Sequence, residues 1–203
     1  MKTSENAHSE RLPNVFVVSG PGGAGKNTIV DRVLAADPTL RESRSWTTRE
    51  RRPGEGEDAY TFVDSATFEA AIEADRFLEW AEYVGNLYGT PWPGPVPDTD
   101  LVLVIEVQGA RQVLERVPDA VMILVVPPSR RVQEARLRAR GDSEEHVQKR
   151  LAVADEEEQV GRSLAHHVVV NDDLDRAVEE VAGILDGYRR PPPSASSPSE
   201  GIA

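Results

Sequence analysis

A β-branched run, Val15-Phe16-Val17-Val18-Ser19, passes directly into Gly20-Pro21-Gly22-Gly23-Ala24-Gly25-Lys26. Apolar residues then recur at helical spacing in Ile29, Val30, Val33 and Leu34. The segment fits G-x-x-x-x-G-K between a strand and a helix. Its glycines let successive backbone N–H groups turn inward around phosphate oxygens, and the following helix N-terminus adds a favourable dipole. In such a loop Lys26 reaches the β- and γ-phosphates of a nucleoside triphosphate such as ATP. A flexible glycine-rich turn is the alternative reading, and the strand–loop–helix context argues against it. Asn27 stands where the pattern has Ser or Thr, whose hydroxyl ligates Mg²⁺. An amide oxygen is a neutral and bulkier ligand for a hard cation. Thr28 follows and is expected to face elsewhere.

Strand-like and helix-like patterns alternate along the chain. Residues 101–107 read LVLVIEV, 121–126 read VMILVV and 168–170 read VVV, as strands covered on both faces would. Helical patterns follow them at 110–117, 130–140 and 174–185. The expected fold is α/β, of the P-loop NTPase type, with a parallel sheet flanked by helices and right-handed crossovers. Residues 60–89 break the rhythm with short alternating strands and one helix near Phe68 and Ile72, and read as an inserted mixed α/β substrate subdomain. The reading gives a flexible N-terminus over 1–13, one domain over 14–188 with its inserted subdomain near 44–90, and a Pro/Ser-rich disordered tail over 189–203.

The net charge of −12 argues against a nucleic-acid partner, so an anionic ligand has to be held by a local basic cluster. There is no cysteine, no secretory h-region and no apolar run of membrane-spanning length. A soluble cytoplasmic protein without a membrane partner is expected, its oligomeric state left open.

One basic cluster is Ser45-Trp46-Thr47-Thr48-Arg49, followed by Arg52 and Tyr60. Two arginines three residues apart can converge on one phosphate, with the phenol adding a hydroxyl. A charged surface loop is the alternative. In Phe77-Leu78-Glu79-Trp80-Ala81, an acid interrupts an apolar strand, and such an acid needs a partner. Guanine offers two adjacent donors that suit a carboxylate, and Tyr88 and Thr90 lie close behind in sequence. A second basic concentration includes Arg136, Arg140 and Arg150, either a phosphate-covering lid or a pair of solvated helix faces. Gly141-Asp142-Ser143 reads as its hinge and a helix N-cap. His166 and His167 are adjacent and make a poor metal pair, and Trp80 and Trp92 read as packing residues.

Taken together, GPGGAGK, SWTTRERRPGE, YTFV, FLEWAE, YGTP, VQGARQV, RLRARGDSEE and VNDDL resemble the guanylate kinase family, in the family's order and over roughly 15–185. The resemblance implies that Gly20, Pro21, Gly22, Gly23, Ala24, Gly25, Lys26, Asn27, Thr28, Arg136, Arg140 and Asn171 bind ATP. It implies guanine contacts from Ser45, Glu79 and Thr90. The GMP phosphate falls to Arg49, Arg52, Tyr60 and Tyr88. Glu106 lines the nucleotide and, with Asn27, the Mg²⁺ position. Lys26, Arg49, Arg140 and Arg150 are the implied catalytic cations, and residues near 136–150 the helical lid. Departures are Asn27, Gly22 for a loop serine, Trp46 at a small position, Leu87 for a tyrosine, and Val104 where an additional acid is common. They leave open a kinase acting on a GMP analogue or another phosphorylated acceptor, and a catalytically weakened binding module.

Overall fold

The computed structural model describes residues 14–189 except 53, 84, 95–98 and 142. The expected flexible N-terminus, nearly all of the expected tail and Asp142 of the expected hinge lie outside the described residues. A five-stranded parallel sheet is built from β1 (Val15–Ser19), β2 (Leu40–Glu42), β7 (Asp100–Val104), β8 (Val121–Val126) and β9 (His167–Val170), in the order β2-β7-β1-β8-β9. The intervening strands β3 (Trp46–Thr47), β4 (Thr61–Phe62), β5 (Phe77–Tyr83) and β6 (Asn86–Pro91) form a separate mixed sheet in the order β4-β3-β6-β5. The helices are α1 (Lys26–Ala36), α2 (Ser65–Glu73), α3 (Val107–Arg116), α4 (Arg130–Ala139), α5 (Glu144–Leu164) and α6 (Leu174–Tyr188).

Every residue of β1 and β8 is buried, because helices cover both faces of the parallel sheet. Alternate side chains serve the two sides. Phe16, Val18, Ile123 and Val125 pack with Ile29, Val33, Val181 and Leu185 from α1 and α6. Val17, Leu103, Met122 and Leu124 pack with Val107, Ala110 and Val113 from α3. Gly161 lets α5 approach that second layer, since a Cβ there would lie 2.5 Å from Leu124.

The strand expected over 101–107 ends at Val104, and Glu106 is the N-cap of α3, which begins before the expected 110–117. Ile105 and Val107 are 8% and 4% exposed, so a buried helix entry continues the apolar run of the strand and hides the boundary. Strand β2 carried no signal: three residues long, it buries only Leu40. Within the segment expected to form a lid, Ser143 caps α5, its hydroxyl accepting from the His146 amide at 3.3 Å, and Gly141 takes φ 85° in the turn before it.

The mixed sheet has its own small core. Phe68 and Ala71 of α2 pack on Phe77, the two phenyl rings stacked with centroids 4.6 Å apart, and Trp46 meets Phe77 edge-on. Trp80 and Trp92, expected to pack, are 37% and 46% exposed; Arg116 lies over the Trp92 ring. Among the described residues no helix is long and apolar enough to cross a membrane. Phe68 is fully buried, so Phe68→Ala should destabilise the protein by about 3–5 kcal/mol in urea denaturation. A loss under about 1 kcal/mol would show that this small core does not hold the mixed sheet.

Candidate active site

Between the carboxyl ends of the parallel strands and the mixed sheet lies a cleft of about 790 Å³. The loop after β1 forms one wall. Gly20 has φ 144°, and a Cβ there would fall 2.0 Å from the Val125 carbonyl oxygen, so only glycine fits where the loop leaves the sheet. Gly25 caps α1 in the left-handed region at φ 96°. Lys26, 8% exposed, donates to the Gly20 carbonyl and lies 3.6 Å from the Glu106 carboxylate.

Second-layer contacts hold the loop in shape. Gln133, 2% exposed on α4, donates to the Gly22 carbonyl at 2.7 Å. Asn171 donates to the Ala24 carbonyl at 2.8 Å, and Arg136 bonds the Ala24 and Asn171 carbonyls at 3.3 and 2.9 Å. Arg136 and the Asn171 amide nitrogen are thus engaged on the loop itself, while Asn171 Oδ1 is buried without a partner. Arg150 stands over the Tyr83 ring and against Gly22, where a Cβ would meet its guanidinium at 2.8 Å. A loop serine at that position would crowd Arg150.

The mixed sheet supplies the opposite wall. Arg49 makes a two-pronged pair with Glu55 at 2.7 and 3.1 Å, and the Arg52 amide donates to the same carboxylate at 3.0 Å. Burial works against the Glu55 carboxylate, but the bonds from Arg49 and the Arg52 amide outweigh it and hold its carboxyl below the usual range. Arg49 also lies over the Tyr60 ring, 5.5 Å from its centroid, and Tyr60 meets Tyr88 edge-on at 6.0 Å. Burial, with the neighbouring Tyr88 and Glu106, pushes the Tyr60 phenol up to about 12.

Glu79 is 3% exposed on β5, and its Oε1 accepts from Thr90 Oγ1 at 2.5 Å; Ser45 Oγ lies 3.3 Å from the same hydroxyl. Burial pushes the Glu79 carboxyl up to about 7; its Thr90 bonds oppose the rise and the negative charge of Glu106 adds to it. The acid anticipated from its apolar strand therefore has the partner it needs.

Of the residues singled out in the sequence, Pro21, Gly22, Gly23, Gly25, Lys26, Asn27 and Thr28 line the cleft from the loop side. Ser45, Arg49, Arg52, Tyr60, Glu79 and Tyr88 line it from the mixed sheet. Glu106, Arg136, Arg140, Arg150 and Asn171 close the ring. Gly20, Ala24 and Thr90 stand behind it, serving through Lys26, Asn171 and Glu79 respectively. Thr28 faces the cleft beside Asn27 rather than away from it. Sequence reasoning missed Glu55 as the arginines' partner and Gln133 as the loop's brace. The signal for Gln133 was a polar residue on the buried stripe of α4. It missed Tyr83 and Glu157 too. Burial and the charge of Glu106 raise the Glu157 carboxyl to about 7, against Lys26 and Arg150.

A parallel sheet whose first strand feeds a glycine loop around a buried lysine, with a second basic wall across a cleft, defines a P-loop nucleotide-binding protein. The sequence profile described as guanylate kinase matches residues 13–188, and the chain belongs to the guanylate kinase family. It is 48% identical to the guanylate kinase of Rubrobacter xylanophilus over 182 residues, 86% of this chain and 94% of that one. Against the guanylate kinase of Thermus thermophilus the identity is 48% over 183 residues, 87% and 82% of the two chains. The crystal structure of guanylate kinase from Anaplasma phagocytophilum superposes with a TM-score of 0.71 at 28% identity, covering 89% of this chain and 88% of that one.

Because the folded Glu79 carboxyl is raised from 4.5 to about 7, its contribution favours the fold at low pH and is lost as pH rises through 7. Glu79→Gln removes that penalty. It should stabilise the free protein relative to the parent by on the order of 2 kcal/mol near pH 8 and by little near pH 5, read from urea denaturation at both values. An equal effect at both pH values would place the raised carboxyl elsewhere.

Proposed function

We infer that this chain transfers the γ-phosphoryl group of ATP to GMP, forming ADP and GDP. The observation that carries the reading is one cleft with two walls, the loop and Lys26 on one side and Arg49 and Arg52 with the buried acid Glu79 on the other. In the proposed arrangement the loop amides and Lys26 take the β- and γ-phosphates of ATP. Arg49 and Arg52 take the GMP phosphate in place of Glu55, with the Tyr60 and Tyr88 hydroxyls beside them. Glu79 accepts from guanine N1–H and its exocyclic amine, with Ser45 and Thr90 completing the base site.

A GMP phosphate oxygen then attacks the γ-phosphorus in line, and the bond to the bridging oxygen of ADP breaks. Little covalent work falls to the protein. Lys26, Arg49, Arg140 and Arg150 spread the charge of the three equatorial oxygens, and closure of α4 and the start of α5 around Gly141 brings the lid arginines in and excludes water. Guanylate selectivity follows from donor and acceptor placement. Adenine presents an acceptor at N1, and opposing it to Glu79 leaves buried groups unpaired at about 1–3 kcal/mol each.

A divalent cation, Mg²⁺ in this proposal, fits the residues present. Glu106 Oε2 is buried without a hydrogen-bond partner, and Asn27 lines the cleft beside Lys26. Those two side chains would hold the ion, with the ATP phosphates as further ligands; bound there, it neutralises charge on the β- and γ-phosphates. Among the described residues no group of three or more acidic or histidine side chains could hold a metal unaided. Val104, packed among apolar residues where the family commonly has an acid, adds no ligand. The pair is therefore a weak holder of the cation, and turnover should be low at ordinary Mg²⁺.

The acceptor assignment is tested with Arg49→Ala, which should raise KM for GMP roughly 10- to 100-fold while leaving KM for ATP within about twofold. Lys26→Ala should instead lower kcat by roughly a hundredfold or more. An unchanged GMP dependence in Arg49→Ala would remove the arginine from the acceptor site. For the cation, Asn27→Ser should lower the Mg²⁺ concentration giving half-maximal rate several-fold, about what a hydroxyl ligand in place of an amide supplies, and raise kcat. A slower enzyme with an unchanged Mg²⁺ requirement would overturn the reading of Asn27 as a weakened ligand and make it a specialised part of the site.

A further inference from the structure

Glu79 does not stand alone at the base-reading end of the cleft. The first turn of α3 comes against it: a Cβ on Gly109 would lie 2.3 Å from Glu79 Oε2 and 3.0 Å from its carboxyl carbon. No real side chain occupies such a position, and the obstacle is not the loose end of a flexible chain. Oε1 of the same carboxylate is tied to Thr90 at 2.5 Å, and the whole side chain is 3% exposed. Pushed by a methyl group, the carboxylate has to rotate away from Thr90 or drive β5 and α3 apart.

The backbone gives no other reason for glycine here. Gly109 lies inside the regular helix Val107–Arg116, where glycine is a poorer helix former than alanine. The start of α3 also lacks what a helix usually recruits. Its N-cap Glu106 makes no side-chain capping bond, and no acid lies in the first turn. The first intrahelical amide to find its acceptor is that of Ala110, bonded to the Glu106 carbonyl at 3.0 Å. The N-terminal end of the helix, positive in its dipole, instead meets a carboxylate arriving from another sheet. Glu79 and Gly109 both line the cleft.

We propose that Gly109 is a specificity-determining positioning residue, whose missing side chain sets the Glu79 carboxylate at the angle that reads the guanine edge. The inference rests on the assignment of Glu79 to the base. It makes the junction of α3 with β5, rather than the mixed sheet alone, responsible for telling guanine from a purine lacking the exocyclic amine.

The experiment is steady-state kinetics of the full chain with GMP and with inosine monophosphate, for Gly109→Ala, Glu79→Ala, the double variant and Glu79→Gln. Gly109→Ala should raise KM for GMP by roughly tenfold or more and cut the GMP-to-inosine-monophosphate ratio of kcat/KM by about fivefold, with KM for ATP within about twofold. In the Glu79→Ala background the same substitution should change neither quantity and should raise the melting temperature, because the clash is gone and alanine favours the helix. Gly109→Ala that leaves the ratio intact, or an equal loss in both backgrounds, overturns the proposal. Should Gly109→Ala fail to fold, recovery of folding in the double variant supports it and continued misfolding overturns it. Glu79→Gln separates the two ideas. A ratio unchanged by Glu79→Gln overturns the base-reading assignment and this inference with it; a lowered ratio there, with none in Gly109→Ala, overturns this inference alone.

Discussion

Lys26 is 8% exposed, and its ammonium is held by the Gly20 carbonyl and by Glu106 at 3.6 Å. Withdrawing such a charge from water costs several kcal/mol unless hydrogen bonds and an opposite charge meet it. The partners come from separate parts of the chain. Gly20 closes β1, Lys26 opens α1, and Glu106 stands between β7 and α3, brought alongside by the parallel pairing of Val18 with Val104. Strand order, loop conformation and the entry angle of α3 are therefore fixed together. The glycines at 20 and 25 are required by this closeness, one by a carbonyl at van der Waals range and the other by a left-handed cap.

A protein of net charge −12 that receives two phosphorylated ligands faces a field of the wrong sign. Its cleft keeps cations paired with internal carboxylates. Glu55 lies between Arg49 and the Arg52 amide, and Glu106 beside Lys26. In the proposed mechanism, incoming phosphates exchange for internal carboxylates, so part of the charge-assisted bonding is traded rather than gained. The arrangement also leaves an acid, Glu106, in the cleft beside Lys26, with the raised Glu157 carboxyl close enough to feel both.

Much of this was legible in the sequence. The loop from Gly20 to Lys26, the buried runs of β1 and β8 and the isolated acid at 79 each carried a pattern with one dominant physical explanation. What escaped had no such pattern. Strand β2 buries one residue and is defined by its pairing with β7, and the boundary at Ile105 vanished because a buried helix entry looks like more strand. Glu55 was invisible as a partner because a surface loop and a phosphate site both place acids beside arginines. Gly109, inside VQGARQV, has no local reason to be glycine, since its reason lies on β5, thirty residues earlier in sequence. Trp80 and Trp92 misled in the opposite direction, because large aromatics are assigned to cores by default, whereas Trp80 lies on the edge strand β5 and Trp92 just beyond the end of β6, both exposed.

The α3 entry ties the two walls into one device. Glu106 stands at the N-cap position of the helix, its side chain turned to Lys26 on the loop side; three residues on, Gly109 receives Glu79 on the mixed-sheet side. The two carboxylates are close enough for Glu106 to raise the Glu79 carboxyl, so the charge state at one wall is felt at the other. The two walls are thus joined through a single helix turn, with Glu106 at its start beside Lys26 and Gly109 three residues on against Glu79.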